Sequence, residues 1–222
     1  MANQNDSFID EVTDELRRDR LYQTFRRWGW VGAVVILGIV GGASWREYSR
    51  AQDRAAAQAW GDAVIQAENA NDPGQLLEVP HRGSSARQAL AGLLAAGEWT
   101  AAGDDAAAVA ALRGVTDSAP ADSVLGDLAL LKLVMTQGAA MDPSTRDMTL
   151  TQLSRPGAPF ELLALEQKAV ALIEADRPAD AETLIRQIQQ KDGLTANMRG
   201  RLADMLTAIG ARPQPGDAAP AN

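Results

Sequence analysis

The segment from Leu93 to Val115, LLAAGEWTAAGDDAAAVAALRGV, decides the predicted fold. Apolar residues recur at helical spacing on both sides of Gly103-Asp104, where a glycine followed by acidic residues indicates that one helix ends and another begins. The segment 170–188, VALIEADRPADAETLIRQI, has the same arrangement around Asp176-Arg177-Pro178. The two segments therefore predict two helical hairpins of the same design.

The spacing between these hairpins predicts a repeat. Ala108 and Ala181 hold corresponding places and lie 73 residues apart, about two periods of a 34-residue helix-turn-helix module. This is the outline of a tetratricopeptide-like solenoid, in which each hairpin buries one face on its neighbour and a short stack can leave a groove on its inner side.

The rest of the chain also predicts helices, and no stretch shows the sustained alternation of apolar and polar residues that strands need. We therefore predict an all-α fold in which one transmembrane helix precedes the solenoid. The predicted helical segments after the membrane are 47–71, 75–79, 84–102, 106–116, 121–138, 144–153, 160–175, 179–191 and 194–209.

The transmembrane prediction comes from an uncharged run, Trp28 to Trp45, that lies between Arg27 and Arg46. As a helix its 18 residues reach about 27 Å, close to the hydrocarbon thickness of a bilayer. Aromatic rings mark both ends of the run, where such rings anchor a spanning helix at the two interfaces. The anchoring residues would be Trp28, Trp30, Trp45 and Tyr48.

Two other interpretations of this run are open. A cleavable secretory signal would use Val31–Val40 as its apolar core and Gly41-Gly42-Ala43 as its cleavage site, but the leader of 27 residues is too long and too acidic. A buried helix of a soluble protein is disfavoured because 31–43 contains only Gly, Ala, Val, Ile and Leu, and so has no polar face. Within the run, Gly38 and Gly42 form a small-xxx-small pair through which two transmembrane helices can pack.

The orientation follows from cationic residues, which are retained on the cytoplasmic side of a membrane. Five arginines precede the run, namely Arg17, Arg18, Arg20, Arg26 and Arg27, and three follow it closely. This favours a cytoplasmic N-terminus and, in a bacterium with two membranes, a periplasmic C-terminal part. We expect an amphipathic cytoplasmic lead-in at 1–27, a transmembrane helix at 28–46, the helical domain at 47–210 and a disordered tail at 211–222.

Composition and charge argue against several classes of function. The acids and bases balance at six each up to residue 46, so the rest of the chain carries the whole net charge of −8, and a role in binding nucleic acid is disfavoured. With no cysteine and a single histidine, Cys/His zinc sites, a serine triad and a two-histidine metalloprotease helix are excluded or nearly so. His81 is expected in a loop without a catalytic part. We expect no enzyme activity, no cofactor, no metal and no small-molecule substrate.

Four groups of residues carry a resemblance to a known family. They are Phe8-Ile9-Asp10-Glu11-Val12 with Glu15-Leu16-Arg17-Arg18-Asp19-Arg20, Ala89 to Gly103, Pro156-Gly157-Ala158-Pro159-Phe160 with Leu165-Glu166, and Arg199-Gly200-Arg201-Leu202. With these and the Trp-flanked run, the chain resembles bacterial inner-membrane proteins with tetratricopeptide-like periplasmic domains, described as ancillary subunits of the Sec translocon. The chain departs from the consensus repeat because it lacks the regular Trp, Gly and Tyr positions.

The resemblance implies membrane lipid, the translocon and periplasmic chaperones or client polypeptides as partners. Together with the residue patterns it predicts a membrane-anchored protein–protein interaction scaffold. Two alternatives stay open. One is an accessory subunit or assembly factor of another membrane complex, such as a respiratory one, that packs on its host through Gly38 and Gly42. The other is a soluble periplasmic carrier released by cleavage after Ala43.

Overall fold

The computed structural model describes the backbone of residues 4–120 and 123–211, and the side chains of these residues from Trp30 onward. These ranges contain helices and turns and no strand, which confirms the all-α prediction. The helices are α1 (Gln4–Asn69), α2 (Gly74–Glu78), α3 (Ser85–Ala102), α4 (Asp105–Ser118), α5 (Val124–Gln137), α6 (Pro143–Leu153), α7 (Glu161–Glu174), α8 (Pro178–Gln189) and α9 (Ala196–Ala208); a 3-10 turn, Gly138–Ala140, follows α5.

Helix α1 is a single element of 66 residues. Its backbone shows no break at the predicted boundaries 27/28 and 46/47, so the division into lead-in, transmembrane helix and helical domain stays a prediction. The chain separates into two compact units, Met1–Ala59 and Trp60–Asn222. Among the described residues, no helix is both long and apolar enough to cross a membrane. These residues include the side chains of the apolar run only from Trp30 onward.

In the second unit, helices α3 to α8 form three successive hairpins, α3–α4, α5–α6 and α7–α8, which we call repeats 1 to 3. The first helix of each hairpin is its A helix and the second its B helix, and α9 follows as a further A helix. Hydroxyl or carboxylate oxygens cap most of these helices by accepting a hydrogen bond from the backbone N–H three residues later. The capping residues are Ser84, Asp104, Ser123, Asp142 and Thr195.

Three A helices end in the same turn. Gly103, Asp176 and Gly210 all have positive φ, at 78°, 55° and 73°. The next N–H in each case donates a hydrogen bond to the carbonyl five residues earlier, at 2.9 to 3.0 Å, which is the pattern of a Schellman motif. The three turns are spaced 73 and 34 residues apart, so the tetratricopeptide period is present in the backbone as well as in the sequence.

The core shows the same register. Corresponding positions of repeats 1 and 3 are buried in both, and each pair is 73 residues apart: Ala96 and Ala169, Ala108 and Ala181, Leu112 and Ile185, Val115 and Ile188. The alanines let the A and B helices of a hairpin approach closely, and the larger side chains fill the space between consecutive repeats. The predicted correspondence between Ala108 and Ala181 is therefore confirmed.

Repeat 2 follows the same frame with a longer spacing. Its capping residue Asp142 lies 38 residues after Asp104, and the residues that lengthen the spacing precede α5. The same offset relates Leu150 to Leu112, and both are buried. Repeat 3 follows after 35 residues, so a residue of repeat 2 has its counterparts 38 residues earlier and 35 residues later.

Candidate functional site

The A helices of repeats 1 to 3 carry a leucine at one shared position. These residues are Leu90 in α3, Leu128 in α5 and Leu163 in α7, at offsets of 38 and 35 residues, and we call them the leucine row. Leu90 and Leu163 are 39% and 40% exposed, and Leu128 is half-buried against the core. Because α3 contacts α5 and α5 contacts α7, the row crosses three neighbouring helices. It offers apolar contact area at the same register in every repeat.

A pocket of about 720 Å³ adjoins the row at Leu163. Its walls come from the start of α7, from the α8–α9 loop and from α9. Apolar side chains on the walls are Phe160, Leu162, Leu163 and Met198; the charged ones are Glu161, Lys191, Asp192 and Arg201. A binding surface for a peptide needs both, since apolar contacts supply affinity and polar groups select the partner.

An ion pair stands at the edge of this pocket. Lys191 Nζ donates a hydrogen bond to Glu161 Oε1 at 2.6 Å, and the backbone N–H of Gly157 donates one to Glu161 Oε2 at 2.8 Å. The bond from Lys191 and the bond from Gly157 together lower the pKa of Glu161 below its ordinary value. The pair links the start of α7 to the residues that follow α8.

We expect this pair to open in acid. A carboxyl with a lowered folded-state pKa stabilises the fold at pH values above its unfolded pKa, and this contribution is lost as the pH falls through the folded value. A carboxyl-directed NMR titration should place the midpoint of Glu161 below that of an ordinary glutamate. In Lys191→Met the midpoint of Glu161 should rise towards the ordinary value, because the bond from Lys191 is the largest cause of its lowered pKa. An unchanged Glu161 midpoint in that variant would contradict the assignment.

A second ion pair lies deeper. Glu166 of α7 is only 3% exposed and accepts two hydrogen bonds from Arg201 of α9, from Nε at 2.6 Å and from Nη2 at 2.7 Å. The bond to Glu166 raises the pKa of Arg201. The corresponding residues of repeats 1 and 2 are Leu93 and Leu131, both buried. A carboxylate thus takes the place of a core leucine in repeat 3 and ties this repeat to α9.

Repeat 2 contains the other buried charge. Arg146 of α6 stands where repeats 1 and 3 have Ala108 and Ala181, and it is 7% exposed. Its Nη1 donates a hydrogen bond of 2.5 Å to Oε2 of Glu174 at the end of α7. Among the described residues, Arg146 and Glu166 are the two buried charged side chains, and each pairs with the helix or repeat that follows.

The residues that the sequence singled out lie elsewhere. Trp30, Trp45 and Tyr48 are exposed on α1, and a side chain built at Gly38 or Gly42 would meet no atom within 4 Å. The side chains of Arg17, Arg18, Arg20, Arg26, Arg27 and Trp28 lie outside the described part of the chain, as do residues 212–222 of the predicted tail. His81 lies in the loop between α2 and α3, as predicted. Membrane anchoring and helix packing by these residues stay predictions.

Sequence reasoning missed the leucine row and both buried charges. The row could have been found by aligning the three repeats at offsets of 38 and 35 residues, because leucine recurs at one position. The same alignment would have shown Arg146 at an alanine position and Glu166 at a leucine position. The 73-residue correspondence alone does not give this alignment, because it relates repeat 1 to repeat 3 and does not include repeat 2.

Comparison with known proteins agrees with the repeat geometry. A family model described as a tetratricopeptide repeat-like domain matches residues 22–192, which is more than half of the chain. No curated protein and no solved structure matches the chain.

Proposed function

The chain belongs to the tetratricopeptide repeat-like domain family, and we propose that it is a protein–protein interaction scaffold held at the periplasmic face of a bacterial inner membrane. Domains of this kind present stacked helical hairpins as an extended surface for other polypeptides. The family match supports a scaffold in place of an enzyme. Membrane attachment and the identity of the partners go beyond the match and belong to the proposal.

The leucine row is the observation that carries the scaffold role. Two of its members, Leu90 and Leu163, are 39% and 40% exposed at the same repeat position in α3 and α7. A partner helix or extended segment lying across α3, α5 and α7 would cover the row and reach the pocket beside Leu163. The acidic balance of residues 47–222 would favour a segment that is not itself strongly acidic.

Photo-crosslinking in native membranes tests this proposal. A benzophenone side chain placed at Leu163 should form adducts with partner polypeptides. The matched control is Met148 on the B helix α6, which is more exposed, at 65%, but lies outside the row. Adducts of equal yield from both positions, or none from Leu163, would count against the row as the binding surface.

The partners that we propose are subunits of the Sec translocon, with periplasmic chaperones or their clients. The resemblance of the N-terminal segment and of the repeats to ancillary translocon subunits supports this choice. Mass spectrometry of the Leu163 adducts identifies the partner directly. Recovery of subunits of a respiratory complex, with no translocon or chaperone component, would favour the accessory-subunit alternative.

Membrane attachment by α1 is supported by its exposed side chains. Large apolar residues are exposed at consecutive positions and therefore on every side of the helix: Val34, Val35, Ile36, Leu37, Ile39 and Val40. Lipid is a suitable environment for such a surface, because water leaves that much apolar area uncovered at a high free-energy cost. The excess of arginine before this segment supports a cytoplasmic N-terminus.

The absence of cysteine from the sequence allows a direct test of the orientation. In cells with a permeabilised outer membrane, a membrane-impermeant maleimide should label Ser118→Cys, which lies in the repeats, and should not label Ser7→Cys. After detergent lysis both variants should react. Equal labelling of both sites in intact inner membranes would contradict the proposed topology, and release of the chain from the membrane at high pH would contradict a spanning helix.

A further inference from the structure

A second pocket, separate from the leucine row, lies between α6 and α7. Its volume is about 350 Å³, near the lower end of the range for small-ligand sites. Apolar walls come from Met141, Leu150 and Leu172, and charged groups from Arg146, Lys168 and Glu174. It occurs where repeat 2 has an arginine at the position that holds alanine in repeats 1 and 3.

The guanidinium of Arg146 is incompletely bonded in this pocket. The side chain is nine-tenths buried, with 9% exposed, and Nη1 bonds to Glu174. Nε is buried and has no hydrogen-bond partner among the described residues. A guanidinium has five N–H donors in a fixed plane, so Arg146 keeps donors for another acceptor.

The charges of the pocket favour an anion with one negative charge. Three cationic side chains line it, Arg146, Lys168 and Arg177, against the two carboxylates of Asp147 and Glu174. Each cation has a carboxylate partner, Glu174 for Arg146, Asp147 for Lys168 and Asp180 for Arg177, so the pocket has no large excess of positive charge. A single carboxylate is therefore favoured over a phosphate dianion, which the carboxylates already present would repel more strongly.

We propose that this pocket binds a carboxylate joined to an apolar group. The carboxylate accepts hydrogen bonds from the Arg146 guanidinium, a charge-assisted contact stronger than a neutral hydrogen bond. The apolar group packs on Met141 and Leu172. The C-terminal residue of a polypeptide and a small aliphatic acid both offer this chemistry. The site is independent of the proposed scaffold role, since it lies on α6 and α7 and not on the leucine row.

Calorimetric titration of the full chain in detergent tests the site. The probes are hexanoate and N-acetyl-alanyl-leucine with a free carboxylate, each compared with its neutral amide. We expect each acid to bind at least tenfold more tightly than its amide. Arg146→Ala should weaken binding of the acids at least tenfold, and it should fold because alanine stands at this position in repeats 1 and 3. Glu174, whose side chain is 39% exposed, can be solvated in this variant.

The matched control is Arg113→Ala, which removes the same charge from an exposed position on α4 and should leave binding unchanged. Arg146→Met serves as a second variant, because it keeps an apolar stem in the pocket while removing the guanidinium. Tighter binding of the dipeptide acid than of hexanoate would assign the site to polypeptide C-termini, and the reverse order to small acids; both support the proposal. No binding of either acid at millimolar concentration, equal binding of acids and amides, or unchanged binding in a folded Arg146→Ala would overturn it, and none of these results bears on crosslinking through Leu163.

Discussion

Ile185→Ala should destabilise the helical domain by about 2–5 kcal/mol, the usual cost of removing a large aliphatic side chain from a packed core. Ile185 is fully buried in α8 and belongs to the cluster formed by α7, α8 and α9. The substitution leaves a cavity at the interface that holds repeat 3 to α9. Neighbouring side chains belong to rigid helices and cannot fully close the space. Urea unfolding followed by circular dichroism measures the loss as a lower midpoint.

Ile65→Ala is the matched control. Ile65 lies in the part of α1 that belongs to the second unit and is 57% exposed, so the same three carbon atoms are removed from a surface position. Its free energy of unfolding should change by no more than about 0.5 kcal/mol, the range typical of surface substitutions. Because solenoid repeats unfold with nearest-neighbour cooperativity, hydrogen exchange should show the loss for Ile185→Ala first in α7 to α9. Equal losses in both variants would contradict the described packing.

Arg201→Ala should cost about 2–3 kcal/mol, because it leaves the buried Glu166 carboxylate without its two hydrogen bonds. The figure is below that for breaking a wholly buried pair, since the Arg201 side chain is 44% exposed and water can reach part of the site. The same urea titration measures it.

The double variant Arg201→Ala with Glu166→Leu separates the pair from its parts. Leucine is the native residue at this position in repeats 1 and 2, as Leu93 and Leu131, so it should pack in repeat 3 and recover most of the stability. Glu166→Leu alone should be close to neutral, since Arg201 can turn towards solvent and Asn197 Oδ1 already accepts from its Nη1. A double variant as unstable as Arg201→Ala would show that the loss comes from packing and not from the unpaired carboxylate.

Much of the helical domain was predictable because local signals and packing agree. The turn at Gly103-Asp104 combines a glycine suited to positive φ with a capping aspartate. At Asp176-Arg177 the positive φ recurs, no side-chain cap bond is made, and Pro178 starts the helix. Such signals fix helix ends to within a few residues. The division of α1 stays a prediction, because nothing in the backbone separates the residues before, within and after the apolar run.

The candidate sites were less predictable because they depend on contacts between distant residues. Glu166 and Arg201 are 35 residues apart, and nothing in the local sequence of either indicates burial. Arg146 occurs in a polar segment of α6 and resembles a surface residue until the repeat frame places it at an alanine position. The apolar run at 28–45 is evident in the sequence. Whether it anchors the chain depends on the lipid or water around the helix and not on the fold of the chain.

The two buried charges make the repeats unequal modules. Arg146 needs an acceptor at the place of Glu174 in the following hairpin, and Glu166 needs a donor at the place of Arg201 in the following helix. Repeat 1, whose corresponding core residues are Ala108 and Leu93, makes no such demand on its successor. A duplication of repeat 1 would therefore be accommodated, whereas exchanging the order of repeats 2 and 3 would set Arg146 against Ala208, which stands in α9 where α7 has Glu174. Ionic links of this kind fix the order in which otherwise similar repeats can follow one another along the chain.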